Sequence, residues 1–498
     1  FVVAGDGCMM EGISHEAADI AGHLGLGHLI CIFDDNRITI DGDTDLATSV
    51  DMAARFRAYG WDVVELGDIS NDLDALEEAL TAAKTTEQPT LLVLRTHVAY
   101  PSPDFTDDHN AHGNPFKAEH VTRTKEVMGI PDEPFWSPDD LVSAYRDHVA
   151  DRAASAKDGW SEPASPEWKA AQRATGLDGW DADLPTYDLG ASLATRKAIQ
   201  AALDATDSKL PGLMAGSADL KGSNGVALGA SHPFSKEAPD GRYVHYGVRE
   251  HAMGAIGVGM ALHGGVLPVT ATFFVFADYM RPPIRLAALS GAKVCFVFTH
   301  DSVGVGEDGP THQPVEQLAS LRVIPHLHVV RPADANETIQ AWADIVRHDG
   351  PSALILSRQD IQVTTDGSAV ERGAGIVRDT DGDPQVILLG TGSEVAVCVE
   401  AAEALTDEGI AARVVSMPSI DRFEAQDEAF RSSILPDTVP VLSVEAGVTF
   451  GWAAYADVSV GIDRFGASAP GDVVMEKLGI SAPNVVSQAK QLIEGAHS

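Results

Sequence analysis

The sequence predicts an α/β protein of three consecutive domains with mainly parallel sheets, and three observations carry that prediction. Apolar strands alternate with alanine-rich helical stretches along the chain, the signature of βαβ units. Two oxygen-rich turns, Gly5-Asp6-Gly7 and Asn36-Arg37-Ile38, each follow an apolar run and are separated by one helix and one strand. With 498 residues, the chain is long enough for about three separate cores.

The elements follow in order. A first domain, 1–185, has strands near 29–33, 61–66 and 90–96. After about residue 130 it passes into a stretch rich in Trp, Pro, Asp and Ser (FWSPDD, GWSEPASPEWK), read as a linker with helical pieces. A second domain, 186–362, opens with a helix over 191–205. Its most apolar region, 252–279, is interrupted by His263, Gly264, Gly265 and Pro268, and reads as a buried helix followed by a strand over 266–273. Strands over 293–299 and 353–356 complete it. The polar segment QDIQVTTDGSAVERGAG marks the boundary to a third domain, 363–498, whose VILLGTGSEV, ARVVSMPS and VPVLSVEAG are again strand-rich.

Composition narrows the function. A net charge of −38 repels nucleic acid and anionic membrane, so neither is expected as a partner, and an acidic, solvated surface is expected instead. The sequence as read shows no signal-peptide pattern or membrane-spanning run, so neither is expected. Cys8, Cys31, Cys295 and Cys398 have no metal-binding spacing and read as buried thiols of a cytoplasmic protein. The chain starts with Phe1 inside an apolar strand, so an upstream segment is expected to be missing from this sequence.

Chemistry concentrates in two places. Turns at the carboxyl ends of parallel strands are where open α/β sheets bind ligands. A carboxylate (Asp6), an amide (Asn36) and a backbone carbonyl meeting there suit Mg²⁺, which prefers oxygen ligands and shares its shell with phosphates. The bland alternative is that Gly-Asp-Gly simply makes a tight turn. In the second domain, Arg249-Glu250-His251 precedes a Gly/Ala helix. A Glu there is by itself a helix N-terminal charge favoured by the dipole. Phe273, Phe276 and Tyr279 recur at spacing three, as if on one face of a helical turn, a stripe that core packing also produces. The loop THDSVGVGEDGPTHQP then places His300, Asp308 and His312 after a strand end, which favours a site.

GDGCMMEG, DDNRITIDG, GSADLKGSN, YGVREHAMGAI, THDSVGVGEDGPTHQP and LSRQ, in this order over essentially the whole chain, resemble the transketolases. The resemblance implies thiamine diphosphate and Mg²⁺ as cofactors, with Ca²⁺ or Mn²⁺ as possible replacements for the metal. It implies a homodimer whose sites lie between the first domain of one subunit and the second of the other. The implied activity is reversible transfer of a two-carbon ketol unit from a ketose phosphate such as xylulose 5-phosphate to an aldose phosphate such as ribose 5-phosphate or erythrose 4-phosphate, in the pentose phosphate pathway.

It also implies residue roles. Asp6, Asn36 and the Ile38 carbonyl would bind the metal, with Gly7 and Asn36 touching the diphosphate. Glu250 would hydrogen-bond the aminopyrimidine ring, with a raised pKa when the cofactor is absent. Phe273, Phe276 and Tyr279 would line that ring's pocket. Arg196, Ser223, Arg358 and His312 would grip the sugar phosphate, and His300 and Asp308 would contact donor hydroxyls. His112 would lie near the reacting carbon and shuttle a proton, as would His312; neighbouring His109 is given no role.

Two departures stand out. Histidines and a Gly-rich segment that transketolases carry upstream of GDG are absent, and Lys221-Gly222 stands where a Pro commonly precedes the Ser. The rivals are a dihydroxyacetone synthase-type ketol transferase, which has no phosphate to grip on its formaldehyde acceptor, and a non-catalytic transketolase-like subunit, which should have lost Glu250 or a metal turn.

Overall fold

The computed structural model describes residues 1–229 and 231–496. Three main sheets follow one another along the chain. The chain divides into two compact units, 1–163 with 235–237, and 164–234 with 238–498.

The first unit holds a four-stranded, fully parallel sheet in the order Val2–Gly5, Ile30–Asp35, Thr90–Arg95, Asp62–Gly67. Its inner strands are apolar almost throughout because helices cover both faces. Met9, Ala18, Phe33, Phe56 and Trp61 pack on one side, and Ile30, Ala83 and Leu92 on the other. The helix Gly12–His23 connects the first two strands and is pinned where Trp61 Nε1 donates to the Ala18 carbonyl at 2.8 Å. Gly5 pairs with Asp34 across the sheet. The two oxygen-rich turns therefore leave the same edge side by side, as their positions after apolar runs predict.

The second unit holds the other two sheets. A six-stranded parallel sheet runs His328–Val330, Ser352–Leu356, Cys295–Thr299, Leu267–Phe273, Leu213–Ser217, Tyr243–His245. A five-stranded sheet runs Gly375–Arg378, Ala412–Ser416, Val386–Gly390, Val441–Val444, Val458–Val460, with only its first pair antiparallel. The expected buried helix spans Glu250–His263 and leads into the strand Leu267–Phe273. A Cβ at Gly254 would come within 2.9 Å of Pro283 Cγ, so glycine is what lets this helix lie against Ala277–Ser290.

Two expectations need correction. The helix expected over 191–205 starts only at Thr195, because Ser192–Leu193 pairs antiparallel with Ile361–Gln362. Asp360 holds that junction by accepting from the Ala194 N–H at 3.0 Å. Within the polar boundary segment, Ile361, Val363 and Val370 are buried. Among the cysteines, Cys8 is exposed in its short helix, while Cys31, Cys295 and Cys398 are buried. No helix among the described residues is long and apolar enough to cross a membrane.

Candidate active site

In the first unit, a cavity of about 660 Å³ is lined by Gly5, Asp6, Gly7, Asn36, Ile38 and His112, among others. Asp6 opens the short helix Asp6–Met10 and is buried. Its Oδ2 accepts from the Arg37 N–H at 3.1 Å, and Asn36 Oδ1 accepts from the Ile38 N–H at 2.9 Å. Asn36 Nδ2 donates to Asp34 at 3.3 Å. Arg37 takes the left-handed conformation, φ 61°, that turns the chain tightly enough for these contacts. Burial raises the Asp6 carboxyl above its usual range, helped by the charges of Asp35 and Asp34 and opposed by the Arg37 N–H.

Among the described residues there is no cluster of three or more His, Cys, Asp or Glu side chains suited to a metal. The donors available in this cavity are a carboxylate, an amide oxygen and a backbone carbonyl. That all-oxygen set suits Mg²⁺ or Ca²⁺ rather than a softer ion. A Cβ built on Gly5 or Gly7 meets nothing within 4 Å, so the space before the turn is open to a diphosphate. His112 is exposed on this cavity, after the turn His109–Ala111. His109 lies 3.5 Å from Asp108, a surface pair.

In the second unit, the carboxyl edge of the six-stranded sheet gathers most of the remaining residues. Glu250 is the first residue of its helix and is buried. The aromatic stripe does not lie on one helix. Phe273 ends its strand, Phe276 closes the turn Phe274–Phe276, and Tyr279 stands in the helix Ala277–Ser290. The intervening Phe274 is fully buried against Phe298. The three predicted rings still form one wall: Phe273 stacks with Phe276 at 6.1 Å, and Phe276 meets Tyr279 at 6.1 Å. Tyr279 stays 63% exposed.

His300 follows the strand Cys295–Thr299, is buried, and has φ 66°. Its ring centroid is 3.8 Å from that of Phe273. His312 approaches Phe276 edge-on at 5.6 Å. Burial drives the His300 imidazole down to about 3, and the positive charges of Arg196, Arg358 and His312 push the same way. Arg196 donates to the Ser223 carbonyl at 3.0 Å and to the Arg358 carbonyl at 3.4 Å. Arg196, Ser223, Arg358, His300 and His312 thus converge, although they come from four separate segments. Asp308 is exposed on its loop. Lys221 places its ammonium over the Tyr243 ring at 4.7 Å.

Several contributors went unassigned in the sequence. Gln313, beside His312, is buried and donates Nε2–H to the Gly306 carbonyl at 2.8 Å and the Ala467 carbonyl at 2.9 Å. It ties the histidine-bearing loop to a loop of the last sheet. Arg331, also buried, joins Asp301 at 2.8 Å to Glu394. Asn224, next to Ser223, reaches Thr299 at 2.7 Å. Gln313 and Asn224 stand inside recognisable motifs, but their partners are too far along the chain for spacing to reveal them.

Three family models match in succession: "Transketolase, thiamine diphosphate binding domain" over 1–177, "Transketolase, pyrimidine binding domain" over 191–364, and "Transketolase-like TK C-terminal domain" over 373–481. A transketolase of Nostoc sp. is 45% identical over 517 residues, covering 99% of this chain and 77% of the relative. A transketolase structure from Leishmania mexicana aligns with TM-score 0.95 at 39% identity, over 100% of this chain and 76% of that one. A Pichia stipitis transketolase in complex with sedoheptulose 7-phosphate aligns with TM-score 0.93 at 37% identity, over 99% and 76%. Matched from its first turn to its last sheet, the chain belongs to the transketolase family of thiamine diphosphate-dependent transferases.

Proposed function

We propose that this chain moves a two-carbon ketol unit from a ketose phosphate, xylulose 5-phosphate, to ribose 5-phosphate or erythrose 4-phosphate, in the cytoplasmic pentose phosphate pathway. The observation that carries the substrate class is the convergence of Arg196 and Arg358 beside His300 in a chain of net charge −38. A planar guanidinium pair binds a phosphate better than a point charge does. The sugar phosphate bound to the Pichia stipitis relative supports the same class. Three buried free thiols support the cytoplasmic location.

Thiamine diphosphate, when bound, supplies a nucleophilic carbon and an electron sink. Asp6, Asn36 and the Ile38 carbonyl would hold Mg²⁺, or Ca²⁺ or Mn²⁺ in its place, and Gly7 leaves room for the diphosphate. Glu250 would hold the aminopyrimidine ring by sharing a proton with its nitrogen. Phe273, Phe276 and Tyr279 would line the ring and keep water out. Arg196, Ser223 and Arg358 would hold the phosphate of the sugar. His300 and Asp308 would bind donor hydroxyls, and His112 and His312 would pass protons to and from them. In this reading residues 1–185 serve the diphosphate and metal, 186–362 the pyrimidine ring, and 363–498 form the C-terminal domain.

The same reading includes a homodimer with its sites at the subunit interface. Val248, Leu262, Leu286 and Leu289 are exposed on and beside the helices Glu250–His263 and Ala277–Ser290, an apolar surface of the kind subunits cover. The test is a coupled assay with xylulose 5-phosphate as donor. Turnover with ribose 5-phosphate far above that with formaldehyde is expected. Preference for formaldehyde would make the chain a dihydroxyacetone synthase-type enzyme, and no turnover with either would make it a non-catalytic relative.

A further inference from the structure

Thr299 and Asn224 are both fully buried, at the end of the strand Cys295–Thr299 and of the short helix Lys221–Asn224. Asn224 donates its Nδ2–H to Thr299 Oγ1 at 2.7 Å. The same Oγ1 lies 2.9 Å from His300 Nδ1. A hydroxyl that already accepts from an amide has its own proton left to give, and Nδ1 is the acceptor beside it. A neutral imidazole that accepts at Nδ1 carries its proton on Nε2. His300 is neutral at working pH, since burial and its cationic neighbours keep it from protonating.

The surroundings hold the ring as well as its tautomer. The Phe273 ring lies tilted against the imidazole, centroids 3.8 Å apart, and the backbone of His300 sits at φ 66°, a conformation a non-glycine residue keeps only when its neighbours enforce it. Asn224 Oδ1 meets no hydrogen-bond partner among the described residues. A buried amide with half its capacity unused owes its place to the other half, the Nδ2 bond to Thr299. Its neighbour Ser223 accepts from Arg196 through its carbonyl, so one short helix touches both the arginine beside the phosphate position and the hydroxyl beside the imidazole.

We propose that Asn224 and Thr299 are positioning residues for ketol transfer: the relay Asn224 Nδ2–H to Thr299 Oγ1–H to His300 Nδ1 fixes His300 as an Nε2–H donor toward the hydroxyls of the donor sugar. The inference rests on the reading that His300 contacts those hydroxyls.

The experiment is a double-mutant cycle on the holoenzyme, read as KM and kcat for a ketose phosphate donor. Thr299→Val keeps the volume and removes the hydroxyl, Thr299→Ser keeps the hydroxyl, and His300→Ala removes the group acted upon. The relay predicts that Thr299→Val raises the donor KM about tenfold, the loss expected for one hydrogen bond, with thiamine diphosphate affinity unchanged. Thr299→Ser should stay within about twofold of wild type, and Thr299→Val should add nothing in the His300→Ala background. Asn224→Ala runs the same cycle from the other end of the relay, so a folding defect in one variant leaves the test standing. Wild-type kinetics in Thr299→Val, or an undiminished effect of it on top of His300→Ala, would overturn the relay. Wild-type kinetics in His300→Ala would instead overturn the reading of His300 on which the relay rests.

Discussion

The imidazole of His300 lies against the ring of Phe273, their centroids 3.8 Å apart. The side chain assigned to donor hydroxyls and the side chain assigned to the aminopyrimidine ring therefore share one wall. Phe273→Leu should weaken thiamine diphosphate binding and raise the donor KM together, each by about twofold to tenfold, the range of one aromatic contact. Calorimetry and steady-state kinetics on one preparation check this. A change in one quantity alone would mean the wall is not shared in function.

Burial lowers the preference of the Arg196 guanidinium for its charge, the nearby charge of Arg358 pushes the same way, and Arg196 also bonds the Arg358 carbonyl. Two cations held together in this way await an anion. Arg358→Leu should raise the KM for a ketose phosphate at least about tenfold, as loss of a charge-assisted hydrogen bond does, with little change in kcat. An unphosphorylated ketose should be nearly indifferent to the substitution. Equal losses with both substrates would assign Arg358 to folding instead.

Protonation of His300 has a defined sign. Its folded value is about 3, held there first by burial and then by Arg196, Arg358 and His312. The ordinary value is about 6.5. Between the two, the unfolded chain takes up a proton that the folded chain refuses, so this group lowers stability as pH falls from about 6.5 toward 3 and not above. The midpoint of urea unfolding should therefore fall less steeply with acid in His300→Asn, where asparagine tolerates the left-handed backbone. Parallel acid profiles for the two proteins would refute a depressed His300.

Gln313 joins the loop that carries Asp308 and His312 to Ala467 beside the last sheet. Gln313→Ala leaves the Val303, Gly306 and Ala467 carbonyls without that donor and should cost about 1–3 kcal/mol of stability. The donor KM should rise while thiamine diphosphate affinity holds. Thermal unfolding, donor kinetics and calorimetry separate these effects, and a donor KM unchanged despite a lowered melting point would leave Gln313 with a structural role only.

What could be read from the sequence was whatever lies within a continuous motif or directly after a visible apolar run. The turns at Asp6 and Asn36 follow strands whose apolar runs are visible in the sequence, and parallel register then sets them side by side. Arg196 stands at a helix start and His300 and Arg358 just after strand ends, where the fold directs them to one edge. Spacing misled where backbone geometry changes within a few residues. Phe273, Phe276 and Tyr279 pass from strand to tight turn to helix, so their spacing of three is not a helical period. The start of the helix at Thr195 depends on Ile361–Gln362 far downstream. Asn224 with Thr299, and Gln313 with Ala467, meet only through tertiary packing.

The central claim is that the all-oxygen turns hold a metal diphosphate and Glu250 holds the ring of one cofactor. Calorimetric titration with thiamine diphosphate, with and without Mg²⁺, tests it most directly, run on the wild type and on Glu250→Ala. The account predicts saturable binding that requires Mg²⁺ in both proteins, with turnover lost in Glu250→Ala alone. Binding of equal strength without a divalent ion would contradict the metal site, and loss of all binding in Glu250→Ala would contradict the division of labour between the two.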